Sequence, residues 1–335
     1  MASVNNTKNQ HFLSQIEQRL NAINPEALPS NQKIYSFTLR DRENYVVDLD
    51  DKQGKSIASN LLLYDLFSFD VINKKTRMNF ETLFQQYEAD IKENTESLLK
   101  KLAAGDANIK AEVLNIFAAK FLNFIRNPYS VIKMLNNVSV IGNFKPTQPD
   151  MLQMFNAIIS GKKPQQKYLC LRLGISDSEY EDWLLALFML LTRFEDGQMN
   201  ILEHAVKNLF EDPSCYIMVN VYRYIDEHSD KRCLLSDRGY STPLSHCSHL
   251  ALDFNLHESA FIQYIFYRLD EIAPMAIAPS ILEIYKKQPK TVELKLLNND
   301  LEALSRYNRH VLYQCHNNVY SSSRAIFGLT CYHCE

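Results

Sequence analysis

Three groupings of residues in this sequence could do chemistry on their spacing. Arg309 and His316 stand with six residues between them, in a stretch whose periodicity predicts a helix over 294–315. On one helix face such a pair would set an imidazole that can take a proton beside a guanidinium that can hold an anionic oxygen. His310 follows the arginine directly. The same pair also fits a solvated helix face. Cys331 and Cys334 have the two-residue gap that can share one zinc ion, with Cys315 and His316 as remaining ligands. His246, Cys247 and His249 compete for that role, and a frayed tail with exposed thiols is the alternative. Carboxylates such as Glu179, Glu181 and Asp182 sit where caps or turns would put them. None has the spacing and glycine of a calcium loop.

Composition excludes several enzyme classes. The chain has 335 residues and only 8 glycines, about 2.4% against roughly 7% in average proteins. They are scattered singly, whereas a phosphate-cradling loop needs them clustered so that backbone amides can approach the anion. No P-loop nucleotide site, NAD fingerprint or kinase loop is therefore expected, and no serine has the glycines of a nucleophile elbow. A divalent metal remains open as a cofactor. The net charge of −3 offers no basic excess for nonspecific nucleic-acid binding. The longest apolar run, Trp183 to Leu191, is too short to span a bilayer. The polar start lacks a signal-peptide core, and seven cysteines without one read as reduced thiols. These features predict a cytoplasmic protein with no membrane partner.

Elements must position these residues. Alternation over 34–39 and 45–49, joined by Asp41 to Asn44, predicts a β-hairpin near the start, after a short helix over 11–22. Phe80, Leu83, Phe84, Tyr87, Ile91, Leu98 and Leu102 predict a long helix ended by Gly105. Ile109 to Phe124 predicts a second, antiparallel to it. Ser176 and Glu179 form a capping-box signature before the Trp183 run, and another helix is expected over 197–210. Strands are expected over 215–224, 233–235 and 249–254, then helices over 257–270, 279–287 and 294–315. The fold class is α+β, mainly helical, with an N-terminal hairpin, a long antiparallel helix pair and a small antiparallel sheet in the third quarter. One domain over 1–335 is expected. Its possible sub-division is 1–145, 146–325 and a tail over 326–335, with a hinge near Pro146 and Pro149.

Several segments carry a resemblance in their order. They are Gln10-His11-Phe12-Leu13-Ser14-Gln15, Lys33-Ile34-Tyr35-Ser36-Phe37, Asp65-Leu66-Phe67-Ser68-Phe69, Phe80-Glu81 with Tyr87-Glu88, Arg126-Asn127-Pro128, and Leu235-Ser236-Asp237. The chain resembles domain-of-unknown-function family 4238, which is widespread and mostly bacterial and carries no established activity. Ser14 stands where that family usually has proline, and Arg238-Gly239 where it has Asn-Pro. The resemblance implies that His11, Arg126 and Asp237 share one functional region. Histidine would be the general base, arginine a phosphate clamp, and aspartate an orienter or metal ligand. The bland alternative is a capping histidine beside a structural ion pair. The expected function is a hydrolase-like enzyme acting on nucleic acid or nucleotide phosphodiesters, as a prokaryotic effector in phage defence. One alternative is a non-catalytic module that binds a protein partner. Another is a HEPN-like ribonuclease, whose signature the Arg309–His316 spacing fits.

Overall fold

The structure is a computed structural model and describes residues 3–4, 7–71, 76–142, 144–195, 197–243, 249–271, 278–288 and 292–333. It begins with β1 (Ser3–Val4), β2 (Asn9–His11), α1 (Gln15–Arg19), β3 (Lys33–Asp41), β4 (Val46–Leu49) and β5 (Lys55–Ser56). Next come β6 (Leu62–Tyr64), β7 (Phe69–Val71), β8 (Thr76–Asn79), α2 (Glu81–Glu88), α3 (Ile91–Ala103) and α4 (Lys110–Arg126). Helices α5 (Val131–Gly142), α6 (Pro149–Ser160), α7 (Gln166–Leu173), α8 (Asp177–Leu191) and α9 (Ile201–Glu211) follow. The chain continues with β9 (Cys215–Arg223), β10 (Leu235–Ser236), β11 (His249–His257), β12 (Ala260–Arg268) and α10 (Pro279–Lys287). It closes with β13 (Val292–Asn298), α11 (Leu301–Gln314), β14 (Asn318–Ser321) and β15 (Thr330–Tyr332). These elements make two compact units of interleaved segments.

The first unit comprises Met1–Ser14, Ser59–Ile91 and Asn115–Ala205. Its spine is α8. The Ser176 hydroxyl accepts from the Glu179 amide and the Glu179 carboxylate accepts from the Ser176 amide, so the capping box forms as expected. The helix then buries every residue from Trp183 to Leu191, which is why its sequence is apolar all round rather than striped. Helices α5, α6 and α7 pack on it. Gly161 ends α6 where a Cβ would stand 2.4 Å from the Ala157 carbonyl oxygen and 2.5 Å from that of Asp70. Only glycine lets β7 come that close. Strands β1, β8 and β7 form one small sheet, and β2 pairs with β6.

The second unit comprises Gln15–Ala58, Lys92–Leu114 and Val206–Glu335. It holds a six-stranded sheet ordered β10-β14-β3-β4-β15, with β5 on β3, and a four-stranded sheet ordered β11-β12-β9-β13. Helix α11 is shared by their cores. Leu304, Tyr307, Val311 and Leu312 pack with Phe37, Val47 and Leu49 from one sheet and Phe261 from the other. Each such burial contributes about 1.5–3 kcal/mol. The opposite face of the four-stranded sheet meets α9, where Phe210 lies edge-on to Tyr264 and Phe266.

The α+β class holds, with strands more widely spread than a hairpin and one small sheet. Strands β3 and β4 do pair antiparallel, Phe37 opposite Leu49, within the larger sheet. The expected helix over 257–270 is strand β12. Its sequence carries apolar or aromatic residues on both faces, Phe261, Ile265 and Tyr267 on one and Ile262, Tyr264 and Phe266 on the other, so the residue types lose the period-2 signature although burial alternates from Ile262 on. The expected helix over 294–315 is β13 followed by α11, parted by Asn299 in the left-handed region (φ 61) and capped by Asp300. The long helix from Phe80 is broken between α2 and α3 at Ala89 and Asp90. Residues 330–332 form a strand on β4 rather than a tail.

Candidate functional site

Face-sharing residues of the four-stranded sheet form a polar row. Asp253 on β11 stands opposite Gln263 on β12, which stands opposite Asn220 on β9. The Asn220 amide donates to the Gln263 carbonyl oxygen at 3.1 Å, and the Gln263 amide donates to Asp253 Oδ1 at 2.9 Å. Ser241 bridges the outer edge of Asp253 through two backbone hydrogen bonds. One step along the strands, Tyr222 stacks on Phe261 (4.4 Å between centroids), and Phe261 stacks on Tyr307 of α11 (4.1 Å). Row, stack and helix line an open cavity of about 210 Å³, whose lining includes Tyr222, Asp253, Gln263, Arg306, Tyr307 and His310.

The cavity puts an acid and a base near their working ranges. Burial pushes the Asp253 carboxyl up to about 7, against the pull of the Gln263 hydrogen bond. Burial, and then the charge of Arg306, hold His310 below its ordinary value. The Asp253 carboxyl and the His310 imidazole both line this cavity, and groups of these two types can serve as acid and base. Arg306 pairs with Glu302 one turn back, both exposed. Such a surface pair is worth only about 0.3–0.5 kcal/mol, so the guanidinium can exchange it for an anion. Sequence reasoning missed Asp253, although a charged residue in the apolar string Leu250-Ala251-Leu252-Asp253-Phe254 was its signal.

The motif residues of the first unit form a second centre. Glu81, Phe84 and Glu88 share one face of α2, and the Arg126 guanidinium lies 5.0 Å from the Phe84 ring centroid. It pairs with Glu88 at 2.5 Å and donates to Asn123 at 2.9 Å, and is 1% exposed. Burial pushes the Glu81 carboxyl up to about 7, with Arg126 opposing and Glu88 adding to the rise. Phe84 packs on Phe67, whose amide donates to Gln10 Oε1 at 2.5 Å. Phe12, beside His11, lies edge-on to Tyr129, just after Arg126-Asn127-Pro128. The unit thus gathers the His11 strand, the Phe67 turn, α2 and the Arg126 turn. Arg126 is paired with the largely buried Glu88 carboxylate, while Glu81 beside it is pushed toward its protonated form.

Asp237 belongs to the second unit. Its Oδ1 accepts from the His316 amide at 2.8 Å, and its Oδ2 from the Asn317 and Asn318 amides at 2.7 and 2.9 Å. Burial raises its pKa while these three donors pull it down. The carboxylate closes the turn between α11 and β14. Gly239 (φ 75) completes the turn after it, its amide donating to the Ser236 carbonyl at 3.0 Å.

The other two groupings are also corrected. Helix α11 ends at Gln314 and Cys315 is extended, so Arg309 and His316 do not share a helix face. Arg309 instead donates to the Gly328 carbonyl at 3.0 Å and covers the Tyr45 ring at 5.3 Å. For zinc, Cys315 is a core residue whose thiol burial pushes up to about 12. Cys331 lies on β15, while Cys334, His246 and Cys247 lie outside the described residues. Among the described residues no group of three His, Cys, Asp or Glu is placed to hold a metal ion. Lys163 is buried against Glu181 at 3.0 Å.

Among the described residues no helix is long and apolar enough to cross a membrane. No family model, curated protein or solved structure matches the chain.

Proposed function

We propose that the chain is a hydrolase acting on nucleotide phosphodiesters, with its active site in the cavity between the four-stranded sheet and α11. The observation that carries this is the buried Asp253, fixed by Gln263 on the floor of a cavity also lined by His310 and Arg306. His310 takes the proton of the attacking hydroxyl as its oxygen bonds to phosphorus. Asp253 gives its proton to the departing oxygen as that P–O bond breaks. Arg306 holds the non-bridging oxygens. Placement in the cytoplasm and an effector role in a bacterium belong to the same proposal, the latter through the resemblance to family 4238.

Purified protein should cleave bis(p-nitrophenyl) phosphate or a 2′,3′-cyclic nucleotide. Asp253→Asn and His310→Ala should each lower kcat by roughly 10²–10⁴. Activity needs the base deprotonated and the acid protonated. The pH profile should therefore be a bell, with its acid limb below the ordinary histidine value and its alkaline limb near 7. A wild-type protein inert on every such ester, or variants as active as wild type, would reject the reading. Inertness would favour the non-catalytic module instead, for which α10 offers exposed Ile281 and Ile284.

A further inference from the structure

Helix α11 carries more than the lining of the cavity. At 100° per residue, Arg306, Arg309, His310 and Tyr313 fall on one stripe covering about a third of its circumference. The opposite side holds Leu304, Val311 and Leu312 in the core. Tyr313 is 43% exposed, and the Arg42 guanidinium lies 6.0 Å from its ring centroid. Arg42 also donates to the Cys315 carbonyl at 3.1 Å, which holds the β3–β4 turn against the end of α11. On the same turn, the Tyr45 ring receives Arg309. Cations and rings therefore alternate beside the cavity: Arg306, Arg309 with Tyr45, then Tyr313 with Arg42. The acid on this stripe of α11 is Glu302, an exposed residue that pairs with Arg306.

Alternating guanidinium and aromatic groups suit a chain with a phosphate and a planar ring in each repeat. We infer that the substrate is a single strand of nucleic acid, lying along α11 with one base on Tyr313, whose ring Arg42 holds in place, and a flanking phosphate on Arg309. Its end nucleotide enters the cavity, so the inference rests on the reading of that cavity as the active site. A duplex is excluded because its base faces are stacked on each other and cannot reach Tyr313.

The test is fluorescence anisotropy on the whole chain, with a labelled ten-nucleotide single strand as RNA and as DNA, the matching duplex, and a labelled mononucleotide. One of the single strands should bind at least tenfold more tightly than the mononucleotide and the duplex. Tyr313→Ala should weaken that binding by about tenfold and Tyr313→Phe should restore it. Arg309→Gln should reduce the salt slope by about 0.7. Circular dichroism melts identify any variant that is merely unfolded. Equal affinity for strand and mononucleotide, preference for the duplex, or a folded Tyr313→Ala that binds normally would overturn the inference. Mononucleotide-ester turnover without strand binding removes the strand and keeps the active site. Strand binding without turnover does the reverse.

Discussion

Arg126 shows what a buried charge costs when its partner is taken away. Its guanidinium is held by Glu88, Asn123 and the Phe84 ring, with Glu81 one face-step away. Arg126→Met should therefore cost about 3–5 kcal/mol in urea denaturation, because Glu88 is left buried and unpaired. Replacing the group together, as Arg126→Met, Glu88→Leu and Glu81→Gln, should recover most of that loss. A single variant within about 0.5 kcal/mol of wild type would refute the account. Arg126 was visible in the sequence through its Arg-Asn-Pro setting, but its role was not. Which carboxylates face an arginine depends on how α2 and the end of α4 cross, and local spacing holds no record of that. Asp237 is the same lesson reversed. A conspicuous aspartate proves to serve three backbone amides across a turn.

At the level of elements, legibility followed the exposure of faces. Strands β3, β4 and β9 were readable from alternation, and α8 from its capping box. Strand β12 was not, because apolar and aromatic residues on both of its faces erase the period that separates strand from helix. The β13–α11 junction was lost for a different reason. Two residues, Asn299 and Asp300, do all the work of separating a strand from a helix. Asp300 caps α11 through the Ala303 amide at 2.9 Å, and its carbonyl accepts from the Tyr224 hydroxyl at 2.9 Å. Asp300→Ala should destabilise the protein by about 1 kcal/mol in a thermal melt. Since α11 carries Arg306 and His310, the same variant should raise KM for a phosphodiester more than it lowers kcat. Unchanged stability would mean the cap is not needed.

For the molecule as a whole, each unit hides a carboxyl that prefers its proton: Glu81 in one, Asp253 in the other, both pushed up to about 7. In the unfolded chain each titrates near 4. The folded state therefore binds protons more tightly. This contribution to stability is unimpaired below about pH 4 and declines as pH rises from there through 7, by up to about 4 kcal/mol per group. Melting temperature at pH 5.5 should exceed that at pH 8, and Glu81→Gln or Asp253→Asn should flatten the difference. Parallel pH curves for variant and wild type would contradict this. The six-stranded sheet has a further consequence, for synthesis. Strands β3 and β4 end by Leu49, yet their neighbours β14 and β15 begin at Asn318 and Thr330. At roughly 5–20 residues per second, the first-made pair waits on the order of tens of seconds with both edges open. A nascent chain stalled anywhere in that interval presents bare strand edges, which is the state that a ribosome-bound chaperone recognises and that aggregation exploits.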